Sequence, residues 1–543
     1  MKKRKLRVGR LILLIIIFLA ISFLLALIAK KIFKKEMINI KTGYVASQTI
    51  NAPLYDKEYN EVETIIRGTE IKYVDKLIEN EYYEIENKNL YILKQNITDT
   101  YENVVLEKEK YVRTPVTIYK EKDSSKIESY APKGSKLEII GFDKLENGKV
   151  NKYNVKYNNI TGYVYEKYLV DDKETSLINY DNGSYSIHQS RTNYYDKTES
   201  AGALDYYPRE KGDFENNIMP NEVKALYLSM GDISSIDTFI NLAKNTGVNA
   251  FVVDIKDGQL AYVSEVAKKY SPKDIGFHSV ENYKKAIQKL KDNGFYVIGR
   301  ICAFKDSAFA QGNPDDALSK NGKLYYYGYE YWPSVYSRKV WEYKVELAKE
   351  AVNLFHFNEI QYDYVRFPET APWLSNEDLK NKYNETKSQA IQNFLIYATD
   401  ELHKLNVYVS ADVFGEASYT YIPGYGQYWA AISNVVDVIS SMPYTDHFGS
   451  YDTWTNPYNV ISNWASTAAA RQKETTSKAI VRTWVTAYNV PYWNPTINCD
   501  ANYIKTQIKA LKDNNLTGGV MTWNAWGAAS KASKYKEIIG AFN

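Results

Sequence analysis

Cysteine and histidine, which supply disulfides and zinc ligands, are scarce in this sequence. Cys302 and Cys499 are the only cysteines in 543 residues, too few for a disulfide framework. Cys302 lies in an apolar, strand-like segment, which is typical of a buried free thiol. The histidines form no pair at metal-ligand spacing; they are His188, His278, His356, His403 and His447. The sequence therefore predicts no metal and no cofactor, which disfavours metal-dependent sugar deacetylation.

An excess of charge of one sign is also lacking. The 68 lysines and arginines nearly balance the 65 acids, and the net charge is +3. The chain is near neutral once its basic N-terminus is set aside, so no nucleic-acid partner is expected. Aromatic residues make up 14% of the chain and include 50 tyrosines. Their rings suit stacking on sugars or peptides, or filling half-buried β surfaces, and both interpretations stay open.

The N-terminus carries the one long hydrophobic run. Residues 11–29 are 19 uncharged, almost wholly aliphatic positions, which as a helix would span about 28 Å of a hydrocarbon core about 30 Å thick. Six basic residues precede the run and four follow it closely, which favours a cytoplasmic N-terminus and an extracellular remainder. We predict a basic tail and single-pass anchor over residues 1–35, in the cell membrane. A cleaved signal peptide is the alternative, although no Ala-x-Ala site precedes Lys30.

Two segments further along resemble each other in the order of their signals. The segments are residues 43–100 and 110–171. Each begins with a strand that contains proline, continues with a turn in which a basic residue precedes glycine, and ends with a strand that contains tyrosine. The second closes on Gly162-Tyr163-Val164, where the first has Leu90 at the glycine. The order resembles tandem bacterial SH3 domains, which implies binding of cell-wall peptide or a spacer role. Residues 172–215 are polar, and we interpret them as a linker.

The C-terminal 216–543 alternates strand and helix patterns. Apolar strand candidates begin near Val223, Asn249, Tyr296, Glu359, Val407, Asp437, Ala479 and Gly518. Helical periodicity fills intervening segments, at 280–292, 338–355 and 384–404. Eight such units predict an α/β fold of the (β/α)8 TIM-barrel class. A doubly wound sheet is the lesser alternative, since no Gly-x-Gly-x-x-Gly turn occurs. The full chain is thus predicted to hold a transmembrane helix, two small all-β barrels and this large barrel.

Polar residues follow the predicted strands, where barrel enzymes place their sites. Alternation puts Gln361 and Asp363 on one face of strand four, and it puts Asp254 and Lys256 on one face of strand two. Acids, amides and indoles are what a carbohydrate subsite needs. The candidate substrate-binding residues are Asp254, Lys256, Arg300, Gln361, Arg366, Tyr444, Trp484, Trp523 and Asn524.

Three segments carry a family resemblance: NAFVVDIKD at 249–257, EIQYDYVRFP at 359–368 and SADVFG at 410–415. They resemble a bacterial family of putative glycosyl hydrolases, formerly a domain of unknown function, related to α-amylase-like barrels. The resemblance covers about residues 220–540. It implies that Asp363 is the nucleophile and that the acid/base is Asp412 or Glu416. The sequence departs from the expected pattern at residues 355–358 and at Thr486.

The combined hypothesis is a membrane-anchored, extracellular glycoside hydrolase of cell-wall or surface polysaccharide, including peptidoglycan. Two carboxyl groups would flank the scissile bond; about 5 Å between them implies retention and about 6.5–9.5 Å implies inversion. Asp363 could instead be held only in a salt bridge to Arg300 or Arg366. The alternative function is a non-catalytic wall protein whose barrel binds glycan without cleaving it. The sequence carries no signal for an oligomeric state.

Overall fold

The computed structural model describes residues 8–32, 39–180, 188, 199–448, 451–490 and 495–543. The chain divides into two compact units. One contains the described residues up to Lys110 together with Glu138–Lys156 and Tyr165–Lys167. The other contains Tyr111–Leu137, Tyr157–Val164 and the described residues from Tyr168 onward.

The first unit begins with the helix Val8–Ile32. Its segment Gly9–Ala26 has a mean hydropathy of 2.7, and the helix is long and apolar enough to cross a membrane. A signal sequence near the N-terminus has the same properties. The predicted apolar span at 11–29 falls within this helix.

Two small antiparallel sheets follow in the first unit. Their apolar faces meet in a core that includes Val45, Leu54, Ile71 and Ile92. The strands are Ile40–Val45, Asn51–Tyr55, Glu61–Ile66, Glu70–Val74, Tyr82–Glu84, Tyr91–Leu93 and Ile97–Thr98. Later parts of this unit pair antiparallel from Glu138 opposite Lys156 to Phe142 opposite Tyr153, and Leu145–Glu146 pairs with Lys149–Val150. The predicted β-rich character of the N-terminal region is confirmed.

In the second unit, residues 111–137 pack against two barrel helices, Arg338–Phe355 and Lys387–His403. The strand Val116–Tyr119 pairs with Ile127–Ala131. The backbone N–H of Ile127 donates to Glu342 at 2.7 Å, and the hydroxyl of Tyr397 donates to the carbonyl of Ser125 at 2.7 Å. Other short strands of the chain here are Glu109–Val112, Ile160–Tyr165 and Leu169–Val170.

The large domain is a near-closed parallel barrel of nine strand segments. The strands are Val223–Leu228, Ala250–Asp257, Tyr296–Cys302, Glu359–Asp363, Tyr408–Phe414, Val438–Met442, Ile480–Val481, Thr483–Thr486 and Gly519–Trp523. The seventh position is divided at Arg482, so that one half pairs with the sixth strand and the other with the eighth. We number the barrel strands one to eight, counting the divided pair as seven. The predicted TIM-barrel class is confirmed, and each predicted strand start lies within one residue of the observed one.

Helices cover the outside of the barrel. They are Ile236–Ala243, Glu265–Tyr270, Val280–Asp292, Ser307–Gly312, Arg338–Phe355, Lys387–His403, Trp429–Ser433, Tyr451–Trp454, Pro457–Glu474, Ala501–Asp513 and Ala528–Ile538. Two of the three predicted helices have the predicted bounds. The third begins later than expected because Thr386 caps it, accepting a hydrogen bond from the Gln389 backbone while the Gln389 side chain reaches back. Short strands in the insertions are Gln259–Tyr262, Gly276–His278, Ser319–Lys320, Lys323–Leu324, Tyr326–Tyr327 and Glu330–Tyr331.

The floor of the barrel, at the N-terminal ends of the strands, is built around a buried ion pair. Arg482 donates to both carboxylate oxygens of Glu359, at 2.8 and 2.9 Å, and both side chains are fully buried. The hydroxyl of Tyr296 donates to Glu359 at 3.0 Å. One layer above, Gln361 contacts Ser440 and Met521. The division of strand seven at Arg482 therefore coincides with the residue that fills the floor.

Residues 199–217 run along the second unit and end beneath the barrel floor. Asp205 exchanges backbone hydrogen bonds with the amide of Gln392, at 2.8 and 2.7 Å. Gly212 donates to Asp437, whose other oxygen accepts from His403 and from the Val409 backbone, all at 2.7–2.8 Å. The carboxylate of Asp437 thus joins three segments of chain.

Replacing Asp437 by asparagine is expected to lower the free energy of unfolding by about 1–3 kcal/mol at pH 7, because buried hydrogen-bond donors lose a charged acceptor. Burial raises the pKa of Asp437, but the bond and charge of His403 and the backbone donors outweigh it and hold the pKa below its ordinary value. The contribution is therefore present above the unfolded pKa, about 3.9, and is lost as pH falls further. Urea denaturation at pH 7 and pH 3.5 would measure it; an equal loss at both values would contradict the assignment.

Candidate active site

Asp363 ends strand four inside the mouth of the barrel. Its side chain is on the same face as Gln361, whereas Tyr362 points outward and packs edge-on against Phe394. The carboxylate accepts the backbone N–H of Tyr364 at 2.6 Å. Tyr364 itself has φ +48, a left-handed conformation that is unfavourable for a bulky residue. The strained turn holds the Asp363 carboxylate in one orientation.

Arg300, at the end of strand three, joins three carboxylates. It donates to Oδ2 of Asp363 from Nε at 3.1 Å and from Nη2 at 2.6 Å. Its Nη1 donates to Asp254 at 2.7 Å and lies 3.4 Å from Asp257. Both Arg300 and Asp254 are 1% exposed. Of the two arginines predicted as partners of Asp363, Arg300 forms the salt bridge.

Asp254 is held from below by Tyr227, which donates to it at 2.5 Å. Burial raises the pKa of Asp254 to about 6, against the opposing charge of Arg300. The side chain is enclosed by these two partners, so it positions Arg300 rather than facing the mouth.

Asp412, on strand five, is a second carboxyl group beside Asp363, and it is fully buried. Trp484 donates its indole N–H to Oδ1 at 2.8 Å, while Oδ2 is buried and accepts no hydrogen bond from the described residues. Burial raises the pKa of Asp412 well above its ordinary value, and the negative charge of Asp363 raises it further. Arg300 and the indole oppose this shift only in part.

The two carboxyl groups are neighbours. Strands four and five pair in parallel with Gln361 opposite Ser410 and Tyr362 opposite Ala411, so the next residues, Asp363 and Asp412, also face each other. Neighbouring strands are about 4.8 Å apart. Tyr444 lies beside both, since burial and then the charges of these two aspartates raise its pKa. One carboxyl is held by a cation, whereas the surroundings of the other raise its pKa.

Glu416 and Arg366 lie beyond the strand ends. Glu416, on the short 3-10 helix Gly415–Ser418, accepts from the hydroxyls of Tyr421 and Tyr425 at 2.7 and 2.9 Å. The guanidinium of Arg366 is buried among aromatic rings, 4.4 Å from the centroid of Phe414. It is 3.3 Å from Glu369. Arg366 therefore braces the loop, with 5% of its surface exposed.

The expectation that Lys256 shares a face with Asp254 is wrong. A β-bulge between them pairs Asp254 with Arg300 but Lys256 with Ile301, whose side chain points away from the mouth. Lys256 is fully buried against Asp274 and lies 3.3 Å from Asp306. The bulge, which alternation cannot predict, moves this lysine out of the candidate site.

The remaining predicted binding residues differ in access. Trp523 is half-buried, with its ring 5.4 Å from the guanidinium of Arg300 and 4.7 Å from the ring of Tyr227. Trp484 is 1% exposed and belongs to the barrel core. Asn524 is fully buried and bonds to the backbone of Ala487 and of Trp526. Trp523 is thus the more accessible of these two indoles.

Two residues of the site were not singled out in the sequence. Tyr227 ends strand one, and alternation from Val223 and Ala225 would have placed it inside the barrel. Gln427 has no comparable signal. Its amide links strand five to the segment after strand four, donating to the Asp412 carbonyl at 3.0 Å and the Val365 carbonyl at 3.4 Å and accepting from the Phe414 backbone at 2.9 Å.

A family model matches the barrel region of the chain. A family described as "Putative glycosyl hydrolase domain" matches residues 225–530. No curated protein matches the chain. A hypothetical protein from Ruminiclostridium thermocellum is 33% identical over 35% of this chain and 97% of its own, with a TM-score of 0.31. The PgaB glycoside hydrolase domain from Bordetella bronchiseptica is 13% identical over 59% of this chain and 99% of its own, at 0.42. A C-terminal domain of a putative chitinase from Desulfitobacterium hafniense is 12% identical over 60% and 99%, at 0.40.

Proposed function

Because the chain belongs to the putative glycosyl hydrolase domain family, we propose that it hydrolyses glycosidic bonds of a polysaccharide with Asp363 and Asp412 as its carboxyl pair. The proposal rests on the different electrostatic surroundings of the two neighbouring aspartates. Asp363 is paired with Arg300, whereas burial and the charge of Asp363 raise the pKa of Asp412. A glycosidase needs one ionised and one protonated carboxyl group on either side of the bond.

In this mechanism Asp412 donates its proton to the leaving oxygen while Asp363 attacks the anomeric carbon. The two aspartates lie on adjacent strands, whose backbones are about 4.8 Å apart. We therefore assign the retaining mechanism, in which the carboxyl groups are about 5–5.5 Å apart. A covalent glycosyl ester on Asp363 would follow. Asp412, now ionised, would take a proton from water, whose oxygen releases the sugar and restores both carboxyl groups. Trp523 would stack on the sugar face.

The polymer would be a cell-wall or surface polysaccharide. Support comes from the apolar helix Val8–Ile32, which as an uncleaved anchor would hold the barrel on the extracellular side of the cell membrane. The small β modules at 43–100 and 110–171 would then bind wall peptide or space the barrel from the membrane, with 172–215 as the connection.

The experiment compares Asp412→Asn with Glu416→Gln, because Asp412 and Glu416 are the two candidates for the general acid. We expect Asp412→Asn to lose about 10²–10⁴ in kcat on a polysaccharide, the range for a general acid. Aryl glycosides with acidic phenol leaving groups need no protonation, so the loss in kcat/KM on them, which reports the first step, should be far smaller, while kcat still falls because the second step needs Asp412 as base. Glu416→Gln should lose much less on both, because Glu416 bonds to tyrosines. Reducing-end and phenol release measure the rates; the opposite ranking would assign the acid to Glu416.

A further inference from the structure

A short hairpin in the insertion after strand three carries the most exposed aromatic side chain among the described residues. Tyr326–Tyr327 pairs antiparallel with Glu330–Tyr331. The two-residue turn consists of Gly328 and Tyr329, with φ +61 and +65. Tyr329 is 91% exposed and Tyr326 is 56% exposed. We call residues 325–332 the Tyr329 hairpin.

Tyrosine is a poor choice for this turn. A two-residue turn with positive φ at both positions favours asparagine, aspartate or glycine, because a bulky side chain is strained there. The chain therefore places an aromatic ring in solvent at a position where asparagine would fold better. Strain at an exposed aromatic residue points to a ligand rather than to folding.

The hairpin is fixed to the barrel rather than loosely attached. Within the hairpin, the indole of Trp332 donates to the Tyr327 carbonyl at 2.9 Å. Outside it, the Tyr331 backbone donates to Ser307 at 2.9 Å. The hydroxyl of Tyr325 donates to Thr370 at 2.8 Å. The exposed rings are thus presented on a supported scaffold, which lowers the entropic cost of binding.

The same contacts connect the hairpin to the candidate active site. The ring of Trp332 is 6.1 Å from that of Tyr364, the residue that follows Asp363. Trp332 also lies 5.2 Å from the guanidinium of Arg366. Trp373, three residues beyond Thr370, is 61% exposed. The exposed rings therefore belong to the rim beside strands three and four.

We propose that Tyr326, Tyr329 and Trp373 form a stacking platform for a glycan chain, occupied by the part of the polysaccharide that extends beyond the cleavage site. This rests on the proposed function. A glycan is favoured because flat rings cover the apolar faces of sugars while tyrosine hydroxyls stay solvated. It is also favoured because the platform continues the rim of the glycosidase-like mouth. The platform makes the enzyme select long chains over short oligosaccharides.

The test measures binding by the full chain in detergent, carrying Asp363→Asn so that no polymer is cut. Affinity electrophoresis in laminarin, soluble starch, xylan and glycol chitin supplies the probes. In the polymer that is bound, adding Tyr329→Asn should weaken binding about fivefold, and adding Trp373→Ala should weaken it again. Tyr329→Asn should leave the melting temperature unchanged or raise it, because asparagine suits the turn. A merely structural tyrosine would lower it.

Phe277→Thr is the matched control, since Phe277 is 57% exposed in the insertion after strand two; it should leave binding unchanged. Unchanged binding by Tyr329→Asn overturns the platform, as does a loss equalled by the control or an absence of binding to all four polymers. A different result would separate the two proposals. If binding depends on Tyr329 but the chain with Asp363 intact cleaves none of the four polymers, the proposed hydrolase function is wrong and the stacking platform is retained.

Discussion

Replacing Asp363 by asparagine is expected to reduce polysaccharide hydrolysis at least about a thousandfold, while the chain stays folded. The amide cannot form the glycosyl ester, and loss of a nucleophile commonly costs this much or more. Folding should persist because Arg300 keeps Asp254 at 2.7 Å and Asp257 at 3.4 Å. Reducing-end release gives the rate, and thermal unfolding checks the fold.

Asp437→Asn is the matched control. Asp437 is also a buried aspartate of the barrel, but it lies at the opposite end, so this variant should lose stability and keep its turnover per folded molecule. A second measurement distinguishes a nucleophilic role of Asp363 from a purely structural one. In Asp363→Gly, azide can occupy the space beside Arg300 and attack the sugar. Recovery of turnover with formation of a glycosyl azide of inverted anomeric configuration would identify the nucleophile. Full activity of folded Asp363→Asn would remove Asp363 from the mechanism.

Replacing Arg300 by methionine is expected to lower the free energy of unfolding by about 3–5 kcal/mol, because buried carboxylates lose their cation. Arg300 is 1% exposed and lies between Asp254 and Asp363. Arg300→Lys should recover part of the stability but little activity, since a single ammonium cannot reproduce the fork that joins both acids. Urea denaturation measures each variant.

The loss of stability in Arg300→Met should depend on pH, because Asp254 titrates differently in the folded and unfolded chain. Burial raises the pKa of folded Asp254 to about 6, above about 3.9 in the unfolded chain. The folded state therefore binds the proton more tightly, and Asp254 destabilises it above pH 6 and ceases to do so as pH falls towards 4. Without Arg300 this pKa rises further, so the deficit of Arg300→Met should shrink in acid. A deficit independent of pH, or one that simply adds to that of Asp254→Asn, would contradict the network.

The fold was predictable because its signals are local. Eight apolar strands and amphipathic helices repeat along 216–543, and alternation alone placed Gln361 and Asp363 on one face of strand four, which the structure shows to be the inner face. Arg300 and Asp412 were identified because they lie near the ends of the two strands that flank strand four, and the strand ends meet at one rim.

The parts of the site that escaped prediction depend on features without a local signal. The bulge that separates Lys256 from Asp254 changes the register by one residue. Gln427 reaches the strand ends from a loop 13 residues beyond Phe414. Sequence could not tell that Trp484 would be a core residue holding Asp412 while Trp523 faces the mouth, since both are indoles at strand ends. Burial decides between them.

The ion pair of Glu359 and Arg482 has a consequence for the movement of protons. Charged and polar side chains fill the barrel beneath the two aspartates, and Asp412 is fully buried. Its proton would therefore exchange through the mouth, on the side where a sugar would bind in the proposed mechanism. While a glycan occupies that side, the hydrolytic water is the natural proton source. In the proposed cycle, the hydrogen given to one leaving group would be replaced by the water that frees the next sugar, and solvent pH would act mainly between turnovers.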